Sequence, residues 1–204
     1  MIDKLAYLLS PKLVRTIHLY SSMLMLLVML FFTVTGITLN HQNWFSDTDP
    51  ATLNNHQLPD RLQQSIQGQN DAMNIASPLI DWLRQEHQVQ GQQINLDWDL
   101  DERFLVIDIR QPGGYSLAEF DLNSGEVTLE QKNAGVIAVL NDLHKGRHSG
   151  ELWQGFIDFS ALVMLLFTLS GFWLLLPQKK RRGRLFAVCG LGFGLSLLLY
   201  WSAL

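Results

Sequence analysis

Cysteine is nearly absent: the chain has one, Cys189, and it lies inside an apolar run. No disulfide can form within one chain, and a cysteine-ligated metal centre is excluded. A Gly-x-Gly-x-x-Gly loop is missing too, and the segments on the side expected to be cytoplasmic are too short to fold a nicotinamide or flavin domain. No small-residue cleavage site follows the first apolar run in Asn40–Trp44, so that run is expected to stay as a signal anchor. Charged residues make up 17% of the chain and leave a net charge of −4, and no nucleic-acid partner is expected.

What the chain does have is apolar residues, 48% of the total, gathered into lumps. Leu19–Leu39, Phe156–Leu176 and Leu185–Leu204 are almost uninterrupted. Each approaches the roughly 20 residues that a helix needs to cross a bilayer core. Ser10-Pro11 reads as a helix start, with proline at the first helical position. Lys4, Lys12 and Arg15 precede the first span, and Lys179, Lys180, Arg181, Arg182 and Arg184 separate the second from the third. By the positive-inside rule these flanks are cytoplasmic. The expected plan is a cytoplasmic N-terminus and first span (1–39), a periplasmic domain (40–152), a second span (153–177), a basic loop (178–184) and a third span (185–204) in the inner membrane. The basic loop also suits anionic lipid.

Within the exterior segment, Gln42–Asn70 is polar and reads as loop with short helical pieces. Ala72–His87 has helical spacing, with Met73, Ile75 or Ala76, Leu79 or Ile80, and Leu83 on one face. Alternation then takes over at Ile94, Leu96 and Trp98, and again in Phe104–Ile109. Gln111–Gly114 and Asn123-Ser124-Gly125 are turns that separate strands Tyr115–Asp121 and Glu126–Glu130. Val136–Leu143 is a short amphipathic helix that feeds the second span. The expected fold is three transmembrane helices carrying an exterior α+β domain, a helix plus antiparallel strands.

The histidines fall at the edges of the spans. His18 opens the first apolar run, His41 closes it, and His144 and His148 precede the second. An imidazole there can reach a metal or haem held between helices, and haem iron in an electron-transfer site takes strong axial ligands such as histidine. Gly36 and Gly171 suit either the admission of a flat ring or close helix packing. His41 and His144 reach the same interface and form a natural pair. His18 lies roughly 34 Å from His41 along a straight helix, too far to share one haem with it. Its partner would be a non-histidine ligand or His18 of a second copy, which makes a homodimer the hypothesis. Gly190-x-x-x-Gly194 is a small-residue pattern that suits either such a dimer or packing within the chain. An interfacial histidine is otherwise an amphipathic anchor, and His56 and His87 read as surface residues. Met23, Met25 and Met29 read as packing residues, although methionine can ligate haem.

Several stretches resemble the PepSY-associated transmembrane family. They are His18-Leu19-Tyr20, Thr35-Gly36-Ile37-Thr38-Leu39-Asn40-His41, Leu143-His144-Lys145-Gly146-Arg147, Asp158 and Leu169-Ser170-Gly171-Phe172-Trp173. Leu117–Leu129 is similar to the strand-turn-strand of the PepSY module. The short three-span layout is most like the VciB-type ferric reductases. The resemblance implies haem b bound through His18, His41 and His144, and reduction of ferric iron or a ferric chelate outside the membrane. It favours His144 over His148 as the ligand, His148 remaining a candidate metal ligand. Electrons would come from quinol or a separate reductase. Asp158 would orient a ligand histidine, relay protons or receive ferric iron; a partner such as Arg147 or an interfacial water is the structural alternative. Asp97, Asp99, Asp101 and Glu102 suit either a solvated edge or transient docking of a hard cation. Two other classes stay open: a non-enzymatic module that binds a partner protein, and an electron carrier to another acceptor.

Overall fold

The computed structural model describes residues 10–45 and 50–204. Lys4, expected on the cytoplasmic flank, lies outside them, as do residues 46–49 of the polar stretch. In chain order the elements are α1 (Pro11–Asn40), a 3-10 turn (Gln42–Trp44), β1 (Thr52–Gln57), α2 (Asp60–Ile66), α3 (Ala72–Glu86), β2 (Gln93–Asp99), β3 (Phe104–Gln111), β4 (Gly114–Asp121), β5 (Glu126–Asn133), α4 (Gly135–Lys145), α5 (Gly150–Leu175) and α6 (Arg182–Ser202). They fall into two compact units, one of residues up to Met29 with Asp158–Leu204, the other Leu30–Ile157.

Among the described residues, α1, α5 and α6 are the three helices long and apolar enough to cross a membrane. Helix α1 begins at Pro11, where the ring's fixed φ and missing N–H are harmless. Leu19, Leu26, Leu27, Leu162, Leu165, Leu166 and Leu198 are all exposed. Such a surface is soluble only against lipid tails. Val14, Met25 and Val163 are buried instead, so Met25 packs while Met23 is exposed. Hydroxyls within the spans bond back to their own helix, as Ser22 does to Leu19 O at 2.8 Å and Thr168 to Met164 O at 2.8 Å. That satisfies each O–H where no water is present. A Cβ built on Gly190, Gly192 or Gly194 of α6 would meet nothing within 4 Å.

The second unit holds a five-stranded antiparallel sheet in the order β1-β5-β4-β3-β2. Helix α3 covers one face. Ile75, Ala76, Leu79, Ile80 and Leu83 of α3 meet Leu105, Ile107, Ile109, Ala118, Phe120, Val127 and Leu129 of the strands in one buried cluster. Met73, expected on the apolar face, is exposed. The helix starts where Asp71 accepts the N–H of Asn74 at 2.9 Å, a side-chain N-cap. Pro112 and Gly113 make the two-residue β3–β4 turn, and Gly113 takes the φ of +73° that it requires. The acidic cluster has a structural task in part: Asp99 Oδ1 accepts the N–H groups of Asp101 and Glu102 at 2.9 and 3.0 Å and shapes the β2–β3 turn.

One expectation needs correcting. Residues 52–57 form an edge strand, β1, paired with β5 from Thr52↔Gln131 to Gln57↔Glu126, instead of a loop. Thr-Leu-Asn-Asn-His-Gln has no apolar alternation, because this edge buries none of its residues fully and is held by backbone hydrogen bonds.

Candidate functional site

Helix α4 is fixed from three sides. The Asp142 carboxylate accepts the N–H of Gly113 at 2.8 Å, which ties α4 to the β3–β4 turn. A side chain at Gly113 would collide with Val139, its Cβ standing 2.5 Å from Val139 Cγ2. The buried Asn141 accepts the Thr38 hydroxyl of α1 at 2.6 Å. Trp153 of α5 donates its indole N–H to Leu143 O at 2.8 Å. Gly146 then ends α4 in the left-handed conformation, with Gly146 N–H on Leu143 O and Arg147 N–H on Asp142 O.

This framework places His144, in the last turn of α4, against α1. Its Nδ1 lies 2.6 Å from Thr35 Oγ1. Thr35 is buried, and its hydroxyl also meets Phe31 O at 2.7 Å. The Phe32 ring stands edge-on to the imidazole at 4.9 Å. Gly36 supplies the room: a Cβ there would stand 3.8 Å from His144 Cε1.

The membrane unit repeats the arrangement. His18 of α1 lies against α5, with Nδ1 3.2 Å from Phe167 O and 3.1 Å from Ser170 Oγ. The buried Ser170 hydroxyl reaches Phe167 O at 2.9 Å. Here the phenyl ring of Phe167 stacks on the imidazole at 4.8 Å and 13°. A Cβ on Gly171 would stand 3.1 Å from His18 Cε1. Each histidine is thus held by an aromatic ring, a hydroxyl and a glycine from a neighbouring helix.

The chain belongs to the PepSY_TM-like family. The family's model matches residues 10–204, which takes in all three spans and the sheet domain. No curated protein and no solved structure matches it.

This PepSY_TM-like chain carries a signal that links the two histidines. Phe32-Thr33-Val34-Thr35-Gly36 in α1 and Phe167-Thr168-Leu169-Ser170-Gly171 in α5 are one pentapeptide pattern used twice. Thr-Gly and Ser-Gly stood out separately in the sequence. The repeat was readable there, but the task of the hydroxyls was not.

The other sequence candidates have different neighbours. His41, in the turn after α1, stacks on Trp44 at 3.9 Å and 8°. His148, at a φ of +55°, places Nδ1 2.6 Å from Gln93 Oε1 of β2. Asp158 is exposed on α5. Among the described residues no ring contact joins His41 to His144, and no histidine hydrogen-bonds Asp158. On the sheet domain, His56 and His87 sit 4.1 Å apart beside Trp82, in a cleft of about 900 Å³ that Asp81 and Glu86 also line. Burial, and secondly the neighbouring His56, hold the His87 imidazole below its ordinary value, while Glu86 pulls the other way.

An axial haem ligand must show one ring nitrogen to iron while its other nitrogen is held. His18 and His144 meet that requirement. Nδ1 is engaged in both, and among the described residues no protein group hydrogen-bonds either Nε2. The donor chemistry of each site, one imidazole nitrogen held and the other open, suits ligation of a haem at that site. Among the described residues no cluster of three or more His, Cys, Asp or Glu is arranged for a metal ion.

Proposed function

We propose that this chain is an inner-membrane haem b electron-transfer protein that reduces ferric iron, free or chelated, on the periplasmic side and so supports ferrous-iron uptake. The observation that carries the reading is the pair of histidines in the candidate spans and at their edge, each clamped through Nδ1 with Nε2 left to a ligand. Haem b, when bound, supplies a one-electron carrier whose potential follows ligation, burial and hydrogen bonding. His144 and His18 give one nitrogen each. His41 would complete the first site by leaving its stack on Trp44, and His18 would be completed by a second copy of the chain in a homodimer. Asp158 would serve the acceptor side, holding ferric iron or a proton.

The balance is simple. Each ferric ion takes one electron, so a quinol that releases two electrons and two protons reduces two ferric ions. The chain's own sequence offers no nucleotide site, which leaves quinol or a separate reductase as donor. The likeness to VciB-type reductases supports the choice of ferric iron as acceptor.

The test is anaerobic mixing of reduced, detergent-purified protein with ferric citrate, following haem reoxidation and trapping ferrous iron. One ferrous ion per electron is expected. Haem that stays reduced would make the chain a carrier to another acceptor, and folded protein without haem would leave a partner-binding module.

A further inference from the structure

The oxygen that faces each clamped Nδ1 has a task that ligation alone does not explain. Thr35 Oγ1 carries one proton and has three acceptors near it, Phe31 O at 2.7 Å, Phe32 O at 3.4 Å and His144 Nδ1 at 2.6 Å. If the proton goes to a carbonyl, Nδ1 must bear hydrogen and donate to the hydroxyl oxygen, which leaves Nε2 as a bare lone pair. If it goes to Nδ1, the ring bears its hydrogen on Nε2, where no described group accepts it. Only the first arrangement gives both the O–H and the ring N–H an acceptor among the described residues. The first arrangement wins. At His18 the choice is narrower still, because Phe167 O can only accept. The Ser170 hydroxyl is itself turned to that carbonyl.

We propose that Thr35 is the positioning residue that holds His144 as its Nδ1–H tautomer, and that the Phe167 carbonyl, with Ser170 beside it, holds His18 in the same state, each ring presenting Nε2 to a ligand. The repeated pentapeptide is then a helix-borne imidazole clamp: the aromatic residue lies against the ring, an oxygen of the clamp (the Thr35 hydroxyl or the Phe167 carbonyl) sets the tautomer, and the glycine leaves space for the ring. A metal-binding imidazole needs this state, neutral with one N–H donated to an oxygen. The consequence for haem rests on the function proposed above; the tautomers do not. The two clamps also differ in redundancy. His144 Nδ1 has one partner, Thr35, whereas His18 Nδ1 has two.

The experiment is nitrogen NMR of full-length, cofactor-free protein in detergent with ¹⁵N-labelled histidine, in which protonated and bare ring nitrogens resonate far apart. Wild type should show Nδ1–H and bare Nε2 for both His18 and His144. Thr35→Val should release His144 to the other tautomer and leave His18 alone, Thr35→Ser should restore the wild-type pattern, and Ser170→Ala should leave His18 held by Phe167 O. Nε2–H at His144 in wild type, or an unchanged His144 signal in folded Thr35→Val, overturns the proposal. Haem titration separates it from the function it rests on. Thr35→Val should weaken haem binding by about 10–100-fold, with rescue by serine. Locked tautomers in a wild type that takes no haem would support the clamp and sink the haem reading. Full haem binding with tautomers that ignore Thr35→Val would do the reverse.

Discussion

Gly171→Ala and Gly36→Ala look like the same substitution in the same pentapeptide, yet the geometry predicts different outcomes. A methyl at Gly171 would stand 3.1 Å from His18 Cε1 and 3.5 Å from Nδ1. Carbon atoms rest at about 3.5–4.0 Å, so the imidazole must retreat by about 0.4 Å or more. Its contacts to Phe167 O and Ser170 Oγ, at 3.2 and 3.1 Å, already sit at the long end of the hydrogen-bond range. The retreat takes them past it. Overpacking of this kind costs about 1–3 kcal/mol, which exceeds or matches the gain of about 1 kcal/mol from replacing a helical glycine. At Gly36 the nearest atom would be His144 Cε1 at 3.8 Å, an ordinary contact, so alanine keeps the helix gain at no steric cost. Thermal unfolding in mild detergent should place Gly171→Ala below Gly36→Ala by about 1–3 kcal/mol. Histidine NMR should show His18 disturbed only in the former. Equal stabilities with an undisturbed His18, or damage confined to Gly36→Ala, would show that His18 does not fill the space beside Gly171.

Asp142→Ala should cost about 1–2 kcal/mol by removing the acceptor for Gly113 N–H, and should loosen His144 through α4; an unchanged unfolding midpoint and His144 signal would contradict this. His87 gives a pH dependence. Its folded value lies below the ordinary 6.5, so the unfolded chain binds the proton more readily, and the contribution is full above 6.5 and lost as pH falls from there through the folded value. The sheet domain should therefore unfold more easily at pH 5.5 than at 7.5, and His87→Gln should flatten that difference; a slope unaffected by the substitution would rule His87 out.

The spans were legible because apolar runs of helical length have one explanation in a chain this polar elsewhere. The β2–β5 meander was legible because Ile94, Leu96 and Trp98 alternate and Pro112-Gly113 punctuates. Strand β1 was hidden: six polar-rich residues on a sheet edge carry no face preference, and their pairing is decided by β5. For the histidines, sequence gave the position along each span but not the helix face. Depth alone favoured His41 beside His144, whereas the structure turns His144 onto Thr35 and Gly36 and stacks His41 on Trp44. The facing residues Phe32 and Phe167 lie 112 and 149 positions from the histidines they touch, beyond any local pattern. Their repetition as Phe-Thr-x-hydroxyl-Gly was the available clue.

Whether His144 and His18 ligate haem is decided by a dithionite-reduced minus oxidised spectrum of detergent-purified protein, with haem and protein quantified together. Sharp b-type bands are expected, weakened in His144→Ala and in His18→Ala and unchanged in His56→Ala. A featureless spectrum from folded wild type supplied with ample haem, or bands indifferent to both histidines, would contradict that ligation.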